Sequence, residues 1–251
     1  MFENDTITNQ LHHRSIRAFK DQTLDKDQLE TLYQVASHTS SSMFLQQFSI
    51  IHVTDENLRE KIREICHQPY VGANGDLFIF VADLYRNQQI RAHEGNDAGR
   101  LKNTDVYFQA TQDTILAVQN FLNAAESMGL GGVVLGSINN DPKALIKVLD
   151  LPKMTMPILG LQIGVPDQEP QLKPRLPLGL RVFENHYNHD VDFDKLAEYD
   201  KEVETYYDLR DTNKRIDSFS MQINGKKLNN HESTRDEISD AIKEQGLAQD
   251  F

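Results

Sequence analysis

A second cysteine is missing, so no internal disulfide is possible: Cys66 stands alone among 251 residues, which agrees with a reducing compartment. No apolar run approaches the roughly 20 residues that cross a bilayer. Met1 to Gln10 is polar and lacks the apolar core of a signal peptide. A cytoplasmic protein is therefore expected. Cations are also scarce, 26 Lys and Arg against 38 Asp and Glu, for a net charge of −12. That balance disfavours nucleic acid and anionic membrane as partners, because neutralising phosphates requires a basic surface. Any anion bound must meet a local cationic cluster. Several motifs that would identify a chemistry outright are absent: there is no P-loop lysine, no Cys/His zinc set and no Gly-x-Ser-x-Gly elbow. His67 beside Cys66 is too little for a metal site.

What is present describes a folded chain. Hydrophobic residues make up 39% and charged residues 25%, well away from the disordered regime. Nothing marks a seam, so residues 1–251 read as one domain with a helical extension from about 190 to 251. Asp25 to Ala36 has apolar residues at Leu29, Leu32, Tyr33 and Ala36, the spacing of an amphipathic helix, with Asp25 and Gln28 placed as a capping box. Phe48 to Val53 reads as a strand. Thr54 then caps a helix through Ile65. Leu77 to Ala82 and Ile158 to Val165 read as buried strands. Gln109 to Met128 is apolar over much of its circumference and is expected to be central or at a subunit interface. After it come Gly129-Leu130-Gly131-Gly132, a strand at Val133 to Leu135, and a helix opened by Asp141 and Pro142. Residues 166 to 190 resemble an ordered surface excursion, followed by helices over about Phe193 to Leu209 and Thr234 to Gln245. Strands and helices do not alternate strictly, which favours α+β over a doubly wound fold.

Four segments could carry chemistry. His13-Arg14-Ser15-Ile16-Arg17 offers forked and hydroxyl donors suited to a phosphate or a polar ring edge; the alternative is a solvated basic turn. Lys173-Pro174-Arg175 projects two cations from a stiffened loop. Ser40-Ser41-Ser42 either lines a polar ligand or satisfies loop backbone. Arg210, Lys214 and Arg215 suit an additional phosphate, or simply a helix C-terminus. The glycines at 129, 131 and 132 are not a dinucleotide fingerprint, because they follow a helix and open a strand. Gly129 reads as a helix cap, and Gly136 as a place where a ligand could approach the backbone.

Taken in order, these segments resemble the NADPH-dependent branch of the nitroreductase superfamily, the group of oxygen-insensitive nitroreductases and flavin reductase P. The resemblance rests on His-Arg-Ser-Ile-Arg at 13–17, Thr-Ser-Ser-Ser at 39–42, Gln-Pro-Tyr-Val at 68–71, Ala-Glu-Ser-Met-Gly-Leu-Gly-Gly at 125–132 and Leu-Lys-Pro-Arg-Leu-Pro at 172–177, with Glu184-Asn185 and the 210–215 loop extending it. It implies an α+β fold with a mainly antiparallel sheet flanked by helices, in an interlocked homodimer that holds one FMN per subunit at the interface. It further implies flavin contacts from His13, Arg14, Ser15, Arg17, Ser41, Gln68, Leu135, Gly136, Lys173 and Arg175, and NADPH contacts from Arg210 and Arg215. The mechanism it implies needs no protein side chain as nucleophile: hydride is expected to pass from NADPH, or NADH, through FMN to nitroaromatics, quinones or free flavin by a ping-pong sequence. Arg17 is the cation expected at the flavin's N1 and O2 edge. Ser137 stands where relatives often carry glycine, and Phe219 where many carry tryptophan. A non-catalytic FMN-binding or sensor protein on the same scaffold is the alternative, and a phosphate-binding module without flavin a third reading.

Overall fold

In a computed structural model, which describes residues 2–210, 217–229 and 232–250, four strands form one antiparallel sheet in the order β1-β2-β4-β3. The strands are β1 (Phe48–Val53), β2 (Asp76–Asp83), β3 (Gly131–Leu135) and β4 (Thr155–Gly164). The helices are α1 (Asp5–Leu11), α2 (Lys26–Ser37), α3 (Glu56–Cys66), α4 (Tyr85–His93), α5 (Thr104–Ser127), α6 (Pro142–Val148), α7 (Phe193–Arg210), α8 (Phe219–Ile223) and α9 (Ile238–Glu244). The chain groups into two compact units, residues 1–169 with 233–251, and residues 170–232.

β2 shows why the sheet sits at the centre. Its side chains alternate faces, yet every residue is buried, because both faces are covered. Leu77, Ile79 and Val81 join Ile62 of α3, Leu145 of α6 and Val133 of β3 in one core cluster. Phe78 and Phe80 point the other way, against Leu32 of α2 and Ala117, Phe121 and Leu122 of α5. The Phe78 and Phe121 rings lie 5.0 Å apart and tilted, and Phe80 meets Phe121 edge-on at 5.5 Å, geometries favoured by the ring quadrupole.

The capping box at Asp25 and Gln28 is present. At α3 the cap is Asp55 rather than Thr54, its carboxylate accepting from the Leu58 amide. The central helix begins five residues earlier than the pattern indicates, at Thr104. β4 begins at Thr155, three residues before the expected start. Pro157 obscures this, and it is tolerated because the β2–β4 register shifts beside it, between Phe80 and Val81. The segment expected as a helix from Thr234 opens as a 3-10 turn, Thr234–Glu237, before α9. α1 and α4 were not anticipated, and neither buries a residue, so neither carries an apolar stripe to betray it. No helix among the described residues is long and apolar enough to cross a membrane.

Candidate functional site

β3 is an edge strand, and the cationic N-terminal segment covers that edge. Ser15 bridges Gly132 in parallel, the Ile16 amide donates to the Gly132 carbonyl at 2.9 Å, and the Lys20 amide to the Val165 carbonyl at 2.9 Å. Ile16 and Phe19 are buried in the core, which fastens the segment and leaves the polar residues between and before them at its surface. The close approach of this segment explains Gly131, and packing of α5 on the strand explains Gly132. A Cβ on Gly131 would lie 2.5 Å from Ile16 Cγ1, and one on Gly132 2.5 Å from Leu122 Cδ1. Gly129, at φ +79°, ends α5, with its amide and that of Leu130 returning to the carbonyls of Glu126 and Ala125.

Within this segment His13 Nδ1 lies 2.5 Å from Glu126 Oε1 on α5. Arg17 stands over the Tyr70 ring, 6.0 Å from its centroid, near the limit for a cation–π contact. Arg14 Nε is buried and has no hydrogen-bond partner among the described residues. A guanidinium nitrogen out of water and unpaired is costly, and an anionic or carbonyl-bearing ligand would complete it. This is the observation on which FMN can be tested against these residues, and they fit: a buried unpaired donor flanked by a second guanidinium and a hydroxyl suits a group with a phosphate and carbonyl edges.

The turn holding Gln68 and Tyr70 was not recognised as a built element. Arg59, buried on α3, donates to the carbonyls of Gly72 (2.9 Å) and Gly75 (2.6 Å). Arg63 donates to those of Val71 and Gly72. Buried Gln162 of β4 donates to Tyr70 and Asn74 carbonyls and accepts from the Gly72 amide. Three side chains thus fix one short turn beneath Arg17, with Gln68 exposed upon it. A buried arginine with carbonyl partners and no carboxylate leaves no motif in sequence.

At the far end of β3, Leu135 is buried and Gly136 opens a 3-10 turn to Asn140. A Cβ on Gly136 would meet only Arg235 Nη2, at 4.0 Å, so the backbone there is approachable. Arg235 was not singled out beforehand; Asn140 Oδ1 accepts from its Nη1 at 2.9 Å. The three residue steps from Gly132 to Leu135 span about 10 Å at ~3.3 Å each. Segments 13–17, 68–70 and 135–136 therefore line one stretch of the first unit.

Ser41 is not gathered there. The neighbouring Ser42 amide donates to Asp113 Oδ1 at 2.8 Å, whereas His13 meets Glu126, thirteen residues further along α5. At ~1.5 Å rise per residue that is about 20 Å. Lys173 and Arg175 belong to the second unit, where the Pro174 carbonyl between them accepts from Tyr199 Oη. Of the expected NADPH contacts, Arg215 and the Arg210 side chain lie outside the described residues. A separate open cavity of about 940 Å3, lined by Tyr33, Phe44, Phe48, Arg86 and Ile90 among others, contains none of the expected flavin residues. Size alone does not make it the flavin site, since it lacks an unpaired buried cation.

Cys66 ends α3, fully buried. Burial pushes its thiol up, opposed by a hydrogen bond with Ser137; burial likewise raises the phenols of Tyr33 and Tyr107. A raised folded value contributes stability that is present below the unfolded value and lost as pH rises toward the folded one. Denaturation midpoints should therefore fall above about pH 8.5. Native Cys66 should resist a thiol reagent at pH 8 and react fully once unfolded; rapid reaction of the native thiol would contradict its burial.

An antiparallel sheet sandwiched by helices, with an anion-seeking segment laid on its edge strand, defines an α+β ligand-binding class. Residues 11–165 match the nitroreductase family model and residues 173–250 the model of that family's C-terminal domain. The chain belongs to the nitroreductase family. It is 38% identical to the FMN reductase (NADPH) of Bacillus subtilis, over 97% of this chain and 98% of that protein. It superposes on a solved B. subtilis nitroreductase with a TM-score of 0.90 at 38% identity, covering 97% of this chain and 99% of that one. The NADPH:FMN oxidoreductase of Vibrio harveyi, solved with NAD+, gives a TM-score of 0.87 at 32% identity, covering 98% and 100%. The α+β fold with an antiparallel sheet flanked by helices is as the sequence resemblance implied.

Proposed function

We propose that this protein is an FMN-dependent oxidoreductase that uses NADPH, in preference to NADH, to reduce nitroaromatics, quinones or free flavin. The buried, unpaired Arg14 Nε carries the reading, placed as it is in a member of a family whose similar proteins bear flavin reductase names. Bound FMN supplies two-electron exchange between nucleotide and acceptor. The chain's own residues bind and orient it. Arg17 would place positive charge where reduction adds negative charge, Arg14 would bind the phosphate-bearing tail, Ser15 and Gln68 would offer polar contacts, and Gly136 would let the backbone approach. The family resemblance assigns flavin contacts to Lys173 and Arg175 as well.

Assembly as a homodimer is supported by the placement of Ser41: assigned to the flavin by the family resemblance, it lies some 20 Å along α5 from His13, a separation that favours a contact from a second copy. Phe108, Ile115 and Leu116, exposed at spacings that share one face of α5, supply an apolar surface for that copy. A cytoplasmic location accords with the single cysteine. Initial rates measured against both NADPH and a quinone should give parallel double-reciprocal lines, the signature of one substrate leaving before the other enters; intersecting lines would rule out that order.

Arg210 and Arg215 are assigned to the 2′-phosphate of NADPH. Replacing both with alanine should raise KM for NADPH about tenfold or more, the worth of a charge-assisted contact, and leave KM for NADH nearly unchanged. Equal rises for both nucleotides would remove the assignment.

A further inference from the structure

We infer that Glu126 is a positioning residue for FMN, acting through His13; the inference rests on the FMN reading above. Glu126 occupies a place where a carboxylate is unfavourable on two counts. It lies in the last turn of α5, where the helix dipole repels negative charge, and its side chain is only 9% exposed, which removes most of its hydration. One oxygen is engaged, Oε1, at 2.5 Å from His13 Nδ1; the other, Oε2, is buried with no hydrogen-bond partner among the described residues. Local structure gives no reason for a carboxylate here, since the capping of α5 uses the Glu126 carbonyl and Gly129.

The contact determines the state of His13. With Glu126 ionised, an imidazole lone pair and a carboxylate oxygen cannot face each other at that distance, so Nδ1 carries the proton and donates it. The ring is thereby fixed in tautomer and orientation, and Nε2, without a hydrogen-bond partner among the described residues, is turned away from the carboxylate. A half-buried ring at 30% exposure, tethered at one nitrogen and adjacent in sequence to the unpaired Arg14 Nε, is a prepared contact rather than a mobile one. The network is short of one acceptor, at Arg14 Nε, and one donor, at Glu126 Oε2. The hydroxylated, phosphorylated tail of FMN carries groups of both kinds. Preorganising His13 lowers the ordering cost of binding.

The test is a double-mutant cycle read as the dissociation constant of FMN, from quenching of its fluorescence by the apoprotein, for wild type, His13→Ala, Glu126→Gln and the double variant. E126Q should weaken binding about tenfold, and the double variant should bind no more weakly than H13A alone, because Glu126 has nothing left to position. E126Q binding as tightly as wild type, or losses that multiply in the double variant, would overturn the role. Should E126Q fail to fold, the ring 15N resonances of His13 in wild-type apoprotein decide: a protonated Nδ1 supports the inference and a bare Nδ1 defeats it. A wild-type apoprotein that does not quench FMN at all removes the functional reading itself, whereas intact wild-type binding with an unaffected E126Q removes only the role of Glu126.

Discussion

Replacing Arg14 with alanine is expected to leave a folded protein that no longer retains FMN through gel filtration. The buried Nε is unpaired without a ligand, so removing the side chain takes away a cost to the empty fold and a contact from the loaded one. A charge-assisted hydrogen bond contributes about 1.5–3 kcal/mol, which is roughly a tenfold to hundredfold rise in the dissociation constant. The melting temperature of the apoprotein should be unchanged or slightly raised, and the stabilisation that excess FMN gives wild type should shrink. Unaltered FMN affinity in R14A would show that this guanidinium does not face the flavin. Ile16 and Phe19 hold the segment in place from inside the core, so the substitution tests the ligand contact rather than the attachment of the strand.

Gly75→Ala is expected to have the largest effect on stability. Gly75 adopts φ +74°, and a Cβ there would lie 2.5 Å from the Ile163 carbonyl oxygen. The positive φ alone costs a non-glycine residue about 1–2 kcal/mol; the contact is with backbone in the central strand β4, which cannot step aside as a side chain would. Any shift also disturbs the 2.6 Å bond from Arg59 to the Gly75 carbonyl and the neighbouring Asp76, which accepts from the Leu24 amide and from His52. A loss on the order of 3–5 kcal/mol is expected, a fall of about 10 °C in Tm for a chain of this size. Gly95→Ala is the control. Gly95 has a similar φ of +77° but nothing within 4 Å of its Cβ position, so it should lose only the conformational part. Equal losses in the two variants would remove the steric argument.

These substitutions mark the boundary of what the sequence makes legible. The period of α2 is visible because the helix buries one face against the sheet, and burial writes a period into the residues; β2, buried on both faces, is visible instead as a continuous apolar run. α1 and α4 bury nothing and so write none. Pro157 argues against a strand, yet the register shift next to it accommodates the missing amide. At the site, the cationic run 13–17 stands out against an acidic composition, but its relation to Glu126 joins residues more than a hundred apart and leaves no local mark. The arginines that matter for architecture, Arg59 and Arg63, look in sequence like ordinary charges on an amphipathic helix; only the fold shows that they bind carbonyls of the 68–75 turn. The sequence offers Ser41 as one of three hydroxyls that suit a polar ligand or loop backbone, and its separation from His13 becomes apparent only once both are placed along α5. Arg235 falls within the helix expected over about Thr234 to Gln245, with nothing to single it out, although its guanidinium reaches the end of β3.

The central claim is that the protein carries electrons from a nicotinamide nucleotide to an acceptor through bound FMN. Anaerobic titration of the FMN-reconstituted protein with NADPH, then separately with NADH, followed by addition of a quinone or nitrofurazone, tests it most directly. NADPH should bleach the flavin absorbance at lower concentration than NADH, and the acceptor should restore it. A bound flavin that neither nucleotide bleaches would contradict this role and leave a protein that holds FMN without using it for catalysis.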